Sequence, residues 1–380
     1  MIDMTLKKAR GISYSQLYPN GKDTIGELLK GLPTCDSVCW IAFIIAKKES
    51  LKDGEFDLHI IMPILFELNN ELQHRVTVFM GSYVNKNDLY INVPALLDVI
   101  VKLLEKPNLD KHDLDKDEKS KLFKAYLIAC DNYLADGSTV SKDNFGPSDI
   151  LQTYMPWALQ SNSSRNVMSP MMELYKGKRL LMDFAPSNDK FNTYVDEFLK
   201  QKNASEYLWN IYSLSTDLMF NNTKTCLIKF GEKTNKSIIE FYDSLCVNKT
   251  MDYGHEAKIN IQEYPLFKVD KDTYCVLFSK FLIDKLYHSM IFDIAGSIEK
   301  AHLLKGTSGE IYIQLKKEIG EHFTEQYLFY PIINHILKDI RYIKETGDEL
   351  KAEYGNGMPD YFARKAERIF IFEFKDVQLT

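Results

Sequence analysis

Cysteine is scarce in this 380-residue sequence, and its spacing excludes the common zinc-binding patterns. The six cysteines lie in apolar stretches, at Cys35, Cys39, Cys130, Cys226, Cys246 and Cys275. Cys35 and Cys39 are four residues apart, so a helix would place them on one face. No second pair of cysteine or histidine residues follows at zinc-ligand spacing. The pattern therefore predicts buried free thiols in a reducing cytosol.

Long apolar runs and an apolar leader are also missing. The longest apolar run, Val38–Ala46, is too short to cross a bilayer. Residues 1–21 lack the apolar core of a secretory signal. We therefore expect a cytoplasmic protein that has no membrane partner.

The chain has no excess of basic charge, since 47 Lys and Arg residues face 53 Asp and Glu residues and the net charge is −6. Phosphate contacts need Lys or Arg, so any nucleic-acid binding must use a local patch. The candidate residues for such a patch are Lys338, Arg341, Lys344, Arg364, Lys365 and Arg368. Acidic neighbours dilute this group, and a solvated helix end and turn is the alternative interpretation.

Most of the chain reads as helix with a few short strands. Apolar spacing predicts helices at Asp36–Lys48 and Ala95–Leu104 and through most of Leu122–Asn221. Alternation predicts strands at Arg75–Tyr83 and Asp88–Val93. An Asp-Lys-Asp turn between LFKV and YCVLF predicts a hairpin after residue 265. The predicted fold class is therefore α+β, in a helix-rich protein long enough for two or three domains.

Glycine-rich phosphate loops, zinc-protease helices and nucleophile elbows are absent from the helical segment Leu122–Asn221. Recognition of a protein partner, homo-oligomerisation or regulation is the role that remains for this segment.

The strongest chemical signal lies near the end of the sequence, in Pro359-Asp360 and Glu373-Phe374-Lys375. The run Ile369–Phe374 favours a buried strand, and alternation would project Glu373 and Lys375 from one face. Asp360 would begin the partner strand, with 364–368 as the turn. On such a hairpin Asp360 lies across from Glu373, close enough to share a divalent cation.

This arrangement resembles the PD-(D/E)xK nuclease superfamily. The resemblance implies that Asp360 and Glu373 bind Mg²⁺ or Mn²⁺ and that Lys375 orients or activates the attacking water. Hard oxygen ligands suit Mg²⁺, and such a metal offsets charge on a scissile phosphate. The resemblance covers about the last sixty residues. The family core continues beyond this strand with a helix and another strand, so we expect a truncated chain or a layer supplied by a partner.

The resemblance also implies a glutamate from a preceding helix. Apolar spacing predicts a helix from Glu310 to Asp339, and Pro331 should disturb it just after Glu325. Glu325 is the first candidate on it and Glu321 the second. A solvated outer face is the alternative interpretation of both.

The resemblance implies a C-terminal restriction-endonuclease-like α/β module, and the Asp-Lys-Asp turn predicts a small hairpin bridge ahead of it. The predicted segments are an N-terminal α+β domain at 1–106, a polar linker at 107–121, a helical domain at 122–225, a hairpin-helix bridging region at 226–305 and a partial nuclease-like module at 306–380. The predicted activity is Mg²⁺- or Mn²⁺-dependent hydrolysis of DNA, or less favourably RNA, in a microbial anti-phage or restriction-type effector. A non-catalytic scaffold or sensor with a degenerate nuclease fold is the alternative, and a hydrolase of another phosphoester is a third hypothesis.

Overall fold

A computed structural model describes residues 10–51, 57–81, 89–134, 169–200, 202–220, 226–250, 261–339 and 341–374. The helices are α1 (Tyr14–Leu17), α2 (Ile25–Leu29), α3 (Thr34–Glu49), α4 (Leu58–Phe66), α5 (Asn70–Gly81), α6 (Val93–Glu105), α7 (Lys116–Leu134), α8 (Pro170–Lys178), α9 (Asp189–Leu199), α10 (Ala204–Phe220), α11 (Lys236–Asp243), α12 (Val247–Thr250), α13 (Ser279–Asp284), α14 (His288–Lys300), α15 (Ser308–Glu318), α16 (Tyr330–Ile336) and α17 (Gly347–Tyr354). The strands are β1 (Arg10–Gly11), β2 (Leu89–Tyr90), β3 (Leu227–Lys229), β4 (Leu266–Lys268), β5 (Thr273–Val276), β6 (Ile343–Thr346), β7 (Tyr361–Lys365) and β8 (Arg368–Phe372). The predicted helix-rich α+β class is confirmed.

The chain forms two compact units, each made of two stretches of sequence. The first unit contains Met1–Val167 and Asp217–Phe281, and the second contains Met168–Thr216 and Leu282–Leu379. Both halves of the predicted nuclease-like motif fall in the second unit.

The first unit is built on packed helices and a small sheet. Helix α6 packs on α3 and α7, and its buried side chains repeat at helical spacing along one face. Asn92 caps this helix by accepting a hydrogen bond from the backbone nitrogen of Ala95 at 3.1 Å, and Pro94 occupies its first turn. The predicted hairpin is present as β4 and β5, and β3 joins it in an antiparallel sheet of order β3-β5-β4.

One strand predicted in this unit is wrong. Residues 75–81, predicted as part of a strand, lie in helix α5. Leu72, Val76 and Met80 are all buried and recur every four residues, so the helical period governs this stretch. The residues 82–83 at the end of that predicted strand lie outside the described part of the chain.

The polar segment 107–121 also differs from its interpretation as a linker. Its second part opens helix α7, where the Asp115 carboxylate accepts hydrogen bonds from the backbone nitrogens of Asp117 and Glu118 at 2.8 Å. Asn108 lies against the start of α3, and its backbone nitrogen donates to Thr34 Oγ1 at 2.8 Å. Most of the segment is exposed, as a linker would be, but its acidic residues also cap helix α7.

All six cysteines are free, as predicted. Four are buried, but Cys35 and Cys39 are only half-buried, so the prediction of burial is wrong for this pair. Within the described ranges, no helix combines the length and apolar character needed to cross a membrane.

In the second unit, a long helical segment leads into the C-terminal sheet. Helix α15 continues as a π-helical segment, Ile319–Phe329, and then as α16. The buried apolar side chains Ile311, Leu315, Ile319 and Phe323 recur every four residues, but the next buried apolar side chain, Leu328, comes after five. This longer step is the mark of π-helical winding.

The π-helical segment Ile319–Phe329 accommodates Pro331, so the helix continues past this proline. Proline has no N–H for the carbonyl of Tyr327. Instead, Arg179 Nε donates to that carbonyl oxygen at 2.9 Å. The predicted disturbance near Pro331 therefore takes the form of a π-helical stretch before it, and α16 follows without a break.

The C-terminal sheet has the order β6-β7-β8 and is antiparallel throughout. Tyr361 and Ala363 of β7 are buried against Tyr330 and Leu337 on the helical side. Helix α17 connects β6 to β7. The sequence from Glu325 onward therefore folds as helix, strand, helix and hairpin.

Candidate functional site

The predicted hairpin brings Asp360 and Glu373 to its open end. The last paired residues are Tyr361 and Phe372, so Asp360 and Glu373 are the next two residues outward. Asp360 Oδ2 accepts a hydrogen bond from the backbone nitrogen of Phe374 at 2.6 Å, which holds the two chain segments together there. The open end of the hairpin therefore presents two carboxylates from opposite strands.

The turn of this hairpin is shorter than predicted. Strand pairing extends to Lys365 and Arg368, so only Ala366 and Glu367 connect the strands, and the predicted turn at 364–368 is wrong. Ala366 has a φ of 56°, in the left-handed region that two-residue hairpin turns require.

The predicted burial of the run Ile369–Phe374 is also wrong. Ile369 and Ile371 are 57 % and 65 % exposed, and Glu373 is exposed beside them. Strand β8 is an edge strand of its sheet. Phe372 of this strand and Phe374 just after it pack against the helical side, and Phe374 stacks on Phe329 with ring centroids 4.5 Å apart. Sequence pattern alone could not distinguish a buried strand from an apolar edge strand.

Glu325 approaches the hairpin through Tyr330. The Tyr330 hydroxyl lies 3.0 Å from Glu325 Oε2 and 3.3 Å from the backbone carbonyl oxygen of Asp360. The π-helical segment supplies Glu325, and α16 supplies Tyr330 one turn later. The helix that precedes the hairpin therefore does bring the first-choice glutamate to the side of Asp360.

The electrostatic surroundings of Glu325 are acidic. Burial raises the pKa of Glu325, and the nearby charge of Asp360 raises it further, although the Tyr330 hydroxyl opposes the shift by donating a hydrogen bond. Asp348 adds a smaller increase, and Lys351 acts in the opposite direction. A carboxyl in this setting gains from a cation that relieves the crowding of negative charge.

Helix α17 contributes to the site in a way that the motif analysis missed. Its first residue, Gly347, donates its N–H to the Asp360 carbonyl oxygen at 2.7 Å, and Asp348 follows it. A signal for this helix was present in the sequence, since Thr346 and Glu349 form a capping box. The capping pattern predicts a helix start but not its position beside Asp360.

The remaining predicted residues are less fully placed. Lys375 and the side chain of Glu321 lie outside the described part of the protein. Over the residues that are described, no three His, Cys, Asp or Glu side chains stand close enough together to hold a metal ion. Hard oxygen donors of the kind that Mg²⁺ prefers are supplied by Glu325, Asp348, Asp360 and Glu373. These carboxylates are not arranged as a complete set of metal ligands.

Two residues of the predicted basic patch share one acid. Arg341 Nη2 lies 2.6 Å from Asp339 Oδ2, and Lys365 Nζ lies 2.7 Å from the same oxygen. These hydrogen bonds, first from Arg341 and then from Lys365, hold the pKa of Asp339 well below its usual range. Arg364 and Arg368 are exposed on the hairpin, and Lys344 is half-buried on β6. The patch therefore keeps exposed cations, but part of its charge is neutralised.

Comparison with known proteins found no matching protein-family model, no matching curated protein and no matching solved structure.

Proposed function

We propose that this protein is a metal-dependent nuclease that hydrolyses phosphodiester bonds of DNA, or with less support RNA. The observation that carries the proposal is the meeting of Glu325 and Asp360 through the Tyr330 hydroxyl, at the hairpin end where Glu373 also lies. The order of helix, β6, β7 and β8 agrees with the first part of a restriction-endonuclease-like module.

The roles of the residues follow from their chemistry. Asp360 and Glu373 would hold Mg²⁺ or Mn²⁺, with Glu325 or Glu321 completing the acidic set. The metal supplies charge neutralisation at the scissile phosphate and makes bound water more acidic. Lys375 would position the attacking water. A bound cation would relieve the negative charge of Asp360 and Asp348 that helps to raise the pKa of Glu325.

Substrate binding would use the exposed face of the hairpin and its surroundings. Arg364 and Arg368 are exposed, and Arg341, Lys344 and Lys365 lie on or near the neighbouring strands. Double-stranded DNA carries dense phosphate charge, so even a modest cluster of this kind can position a duplex. A microbial anti-phage or restriction-type effector is the setting that we propose for such an activity.

A scaffold is the second candidate, and a specific observation favours it. Ile343, Ile369 and Ile371 are exposed. Ile343 and Ile369 both lie opposite Arg364 in the register, and Ile371 is two residues further along β8, so the three share one face of the sheet. An apolar sheet face of this kind is typical of a surface for another protein.

The test is cleavage of plasmid DNA and of structured RNA with Mg²⁺, with Mn²⁺ and with a chelator. We expect metal-dependent cleavage by the parent chain and loss of it in Lys375→Ala and Glu373→Gln. Glu367→Gln is the matched control, because Glu367 lies in the exposed turn of the same hairpin. Absence of cleavage by the folded parent chain would favour the scaffold. Equal cleavage by parent and Lys375→Ala would remove the role assigned to the lysine.

A further inference from the structure

Four of the six cysteines meet in the first unit, although they are far apart in sequence. Helix α3 carries Cys35 and Cys39, strand β5 carries Cys275, and Cys226 directly precedes β3. Helix α3 contacts β5. Cys226 also lies beside β5, because the backbone nitrogen of Val276 donates a hydrogen bond to the Cys226 carbonyl oxygen at 2.8 Å. Cys226 Sγ also lies 3.6 Å from the carbonyl oxygen of Cys39.

The thiols of this cluster contact one another in a chain. The side chains of Cys35 and Cys39, of Cys39 and Cys275, and of Cys275 and Cys226 shift one another's pKa, so these thiols are neighbours. The Cys275 thiol itself donates to the Val276 carbonyl oxygen. Cys39 and Cys275 are the two inner members of this series. Cys39 is half-buried, whereas Cys275 and Cys226 are buried. The side of the cluster formed by α3 is therefore its more exposed side.

The surroundings of Cys39 favour its thiolate. Hydrogen bonds from Cys275 and then from Cys35 lower the pKa of the Cys39 thiol against the opposing effect of burial, and the charge of Lys111 lowers it further. Lys111 is held nearby by a hydrogen bond to the Val269 carbonyl oxygen at 2.9 Å. The thiolate is the form of cysteine that reacts with oxidants.

We propose that Cys39 and Cys275 form a site of reversible oxidation by hydroperoxides, closing a disulfide between α3 and β5. The Cys39 thiolate attacks the peroxide, breaks its O–O bond and becomes a sulfenic acid, and the leaving oxygen takes up protons as water or an alcohol. The Cys275 sulfur then attacks the sulfenic sulfur, forming the S–S bond, and its proton leaves with the hydroxyl as water. Two thiols are oxidised and one hydroperoxide is reduced, and an external dithiol reverses the change by exchange.

Cys275 is the resolving residue because Cys35 is poorly placed for a bond to Cys39. Residues four apart on an α-helix have Cβ atoms about 5–6 Å apart. A disulfide needs Cβ atoms about 3.5–4.5 Å apart. A bond within α3 would therefore unwind the helix, whereas β5 faces Cys39 from a separate element.

The test is peptide mapping of the intact chain after brief treatment with hydrogen peroxide, followed by alkylation in acid. Trypsin combined with a protease that cuts before aspartate separates Cys35 from Cys39, because Asp36 lies between them. We expect a linked pair of peptides containing Cys39 and Cys275, its loss after dithiothreitol, and a melting temperature several degrees higher in the oxidised chain.

Two serine variants provide the controls. Cys39→Ser should abolish the linked peptide, whereas Cys130→Ser should leave it, since Cys130 lies outside the cluster. Retention of all six thiols in the parent chain at peroxide doses that oxidise free glutathione would overturn the proposal. So would stoichiometric zinc in the purified chain that blocks oxidation, or linkage among all cysteines without preference.

Discussion

At the scale of single residues, Tyr330 is the connection on which the candidate site depends. Its hydroxyl contacts Glu325 and the backbone of Asp360, while its ring packs beside Phe374 and Tyr361. Such residues behind a metal ligand orient the ligand and set its charge.

Removal of this hydroxyl should weaken metal binding without unfolding the unit. Tyr330→Phe keeps the ring packing but loses the hydrogen bond that lowers the pKa of Glu325. We expect Mn²⁺ affinity, measured by calorimetry, to fall about tenfold. Tyr361→Phe is the control, because its hydroxyl donates to Asn334 instead. Equal losses in both variants would contradict the role of Tyr330.

The raised pKa of Glu325 gives a pH dependence with a definite sign. A raised pKa leaves more Glu325 protonated at a given acidic pH, and the proton competes with the metal. Mn²⁺ affinity should therefore rise with pH through the raised pKa and then level off, and Glu325→Gln should flatten this rise. The same shift means that the carboxyl favours the folded state below its unfolded pKa and that this contribution is lost as pH rises through the folded value. If the Mn²⁺ affinity of Glu325→Gln depends on pH as strongly as that of the parent chain, the titrating group is not Glu325.

The backbone of Gly347 lies very close to the backbone of Asp360, and this approach requires a residue without a side chain. A Cβ on Gly347 would lie 2.9 Å from the Asp360 carbonyl oxygen and 3.0 Å from its Cα. Both contacts are with backbone, so Gly347→Ala should destabilise the chain by about 1–3 kcal/mol in urea unfolding. Gly296→Ala is the control in helix α14, where no atom lies within 4 Å of the new Cβ, and it should stabilise by about 0.5–1 kcal/mol. Similar effects of the two substitutions would show that the approach of Gly347 to Asp360 is not tight.

At the scale of elements, the C-terminal hairpin is set by its turn. Ala366 holds a φ of 56°, which costs an L-residue about 1–2 kcal/mol and glycine very little. Ala366→Gly should therefore stabilise the unit by about 0.5–1 kcal/mol after the added entropy of the unfolded chain. Ala363→Gly, in the buried middle of β7, should destabilise instead. Destabilisation by both would mean that the turn is not strained.

Elements with a clear period could be predicted from the sequence, and elements that depend on tertiary contacts could not. Apolar spacing was sufficient to predict helices α3 and α6. The Asp-Lys-Asp turn was sufficient to predict the hairpin of β4 and β5. Helix α5 was misassigned because its sparse apolar residues also suit alternation over a short window. The exposure of β8 and the π-helical turn near Pro331 depend on neighbours that no local pattern contains.

At the scale of the whole molecule, the candidate site and the thiol cluster lie in different units. The site comes from one continuous stretch, residues 325–373, and its pattern was therefore visible in the sequence. The thiol cluster joins α3 to β3 and β5 across more than 180 residues, so spacing rules for metal and disulfide motifs could not find it. Asp348 and Tyr330 escaped the motif analysis for the same reason, since their roles come from position rather than from residue pattern.

The most direct test of the central claim is metal-dependent cleavage of plasmid DNA by the parent chain, Asp360→Asn, Glu373→Gln and the control Glu367→Gln. Asparagine keeps an oxygen that can accept the hydrogen bond from Phe374, so Asp360→Asn should remain folded. We predict that the parent and Glu367→Gln cleave with Mg²⁺ or Mn²⁺ and that the other two variants lose about 100-fold or more of the rate. Cleavage that persists undiminished in folded Asp360→Asn and Glu373→Gln would contradict the account.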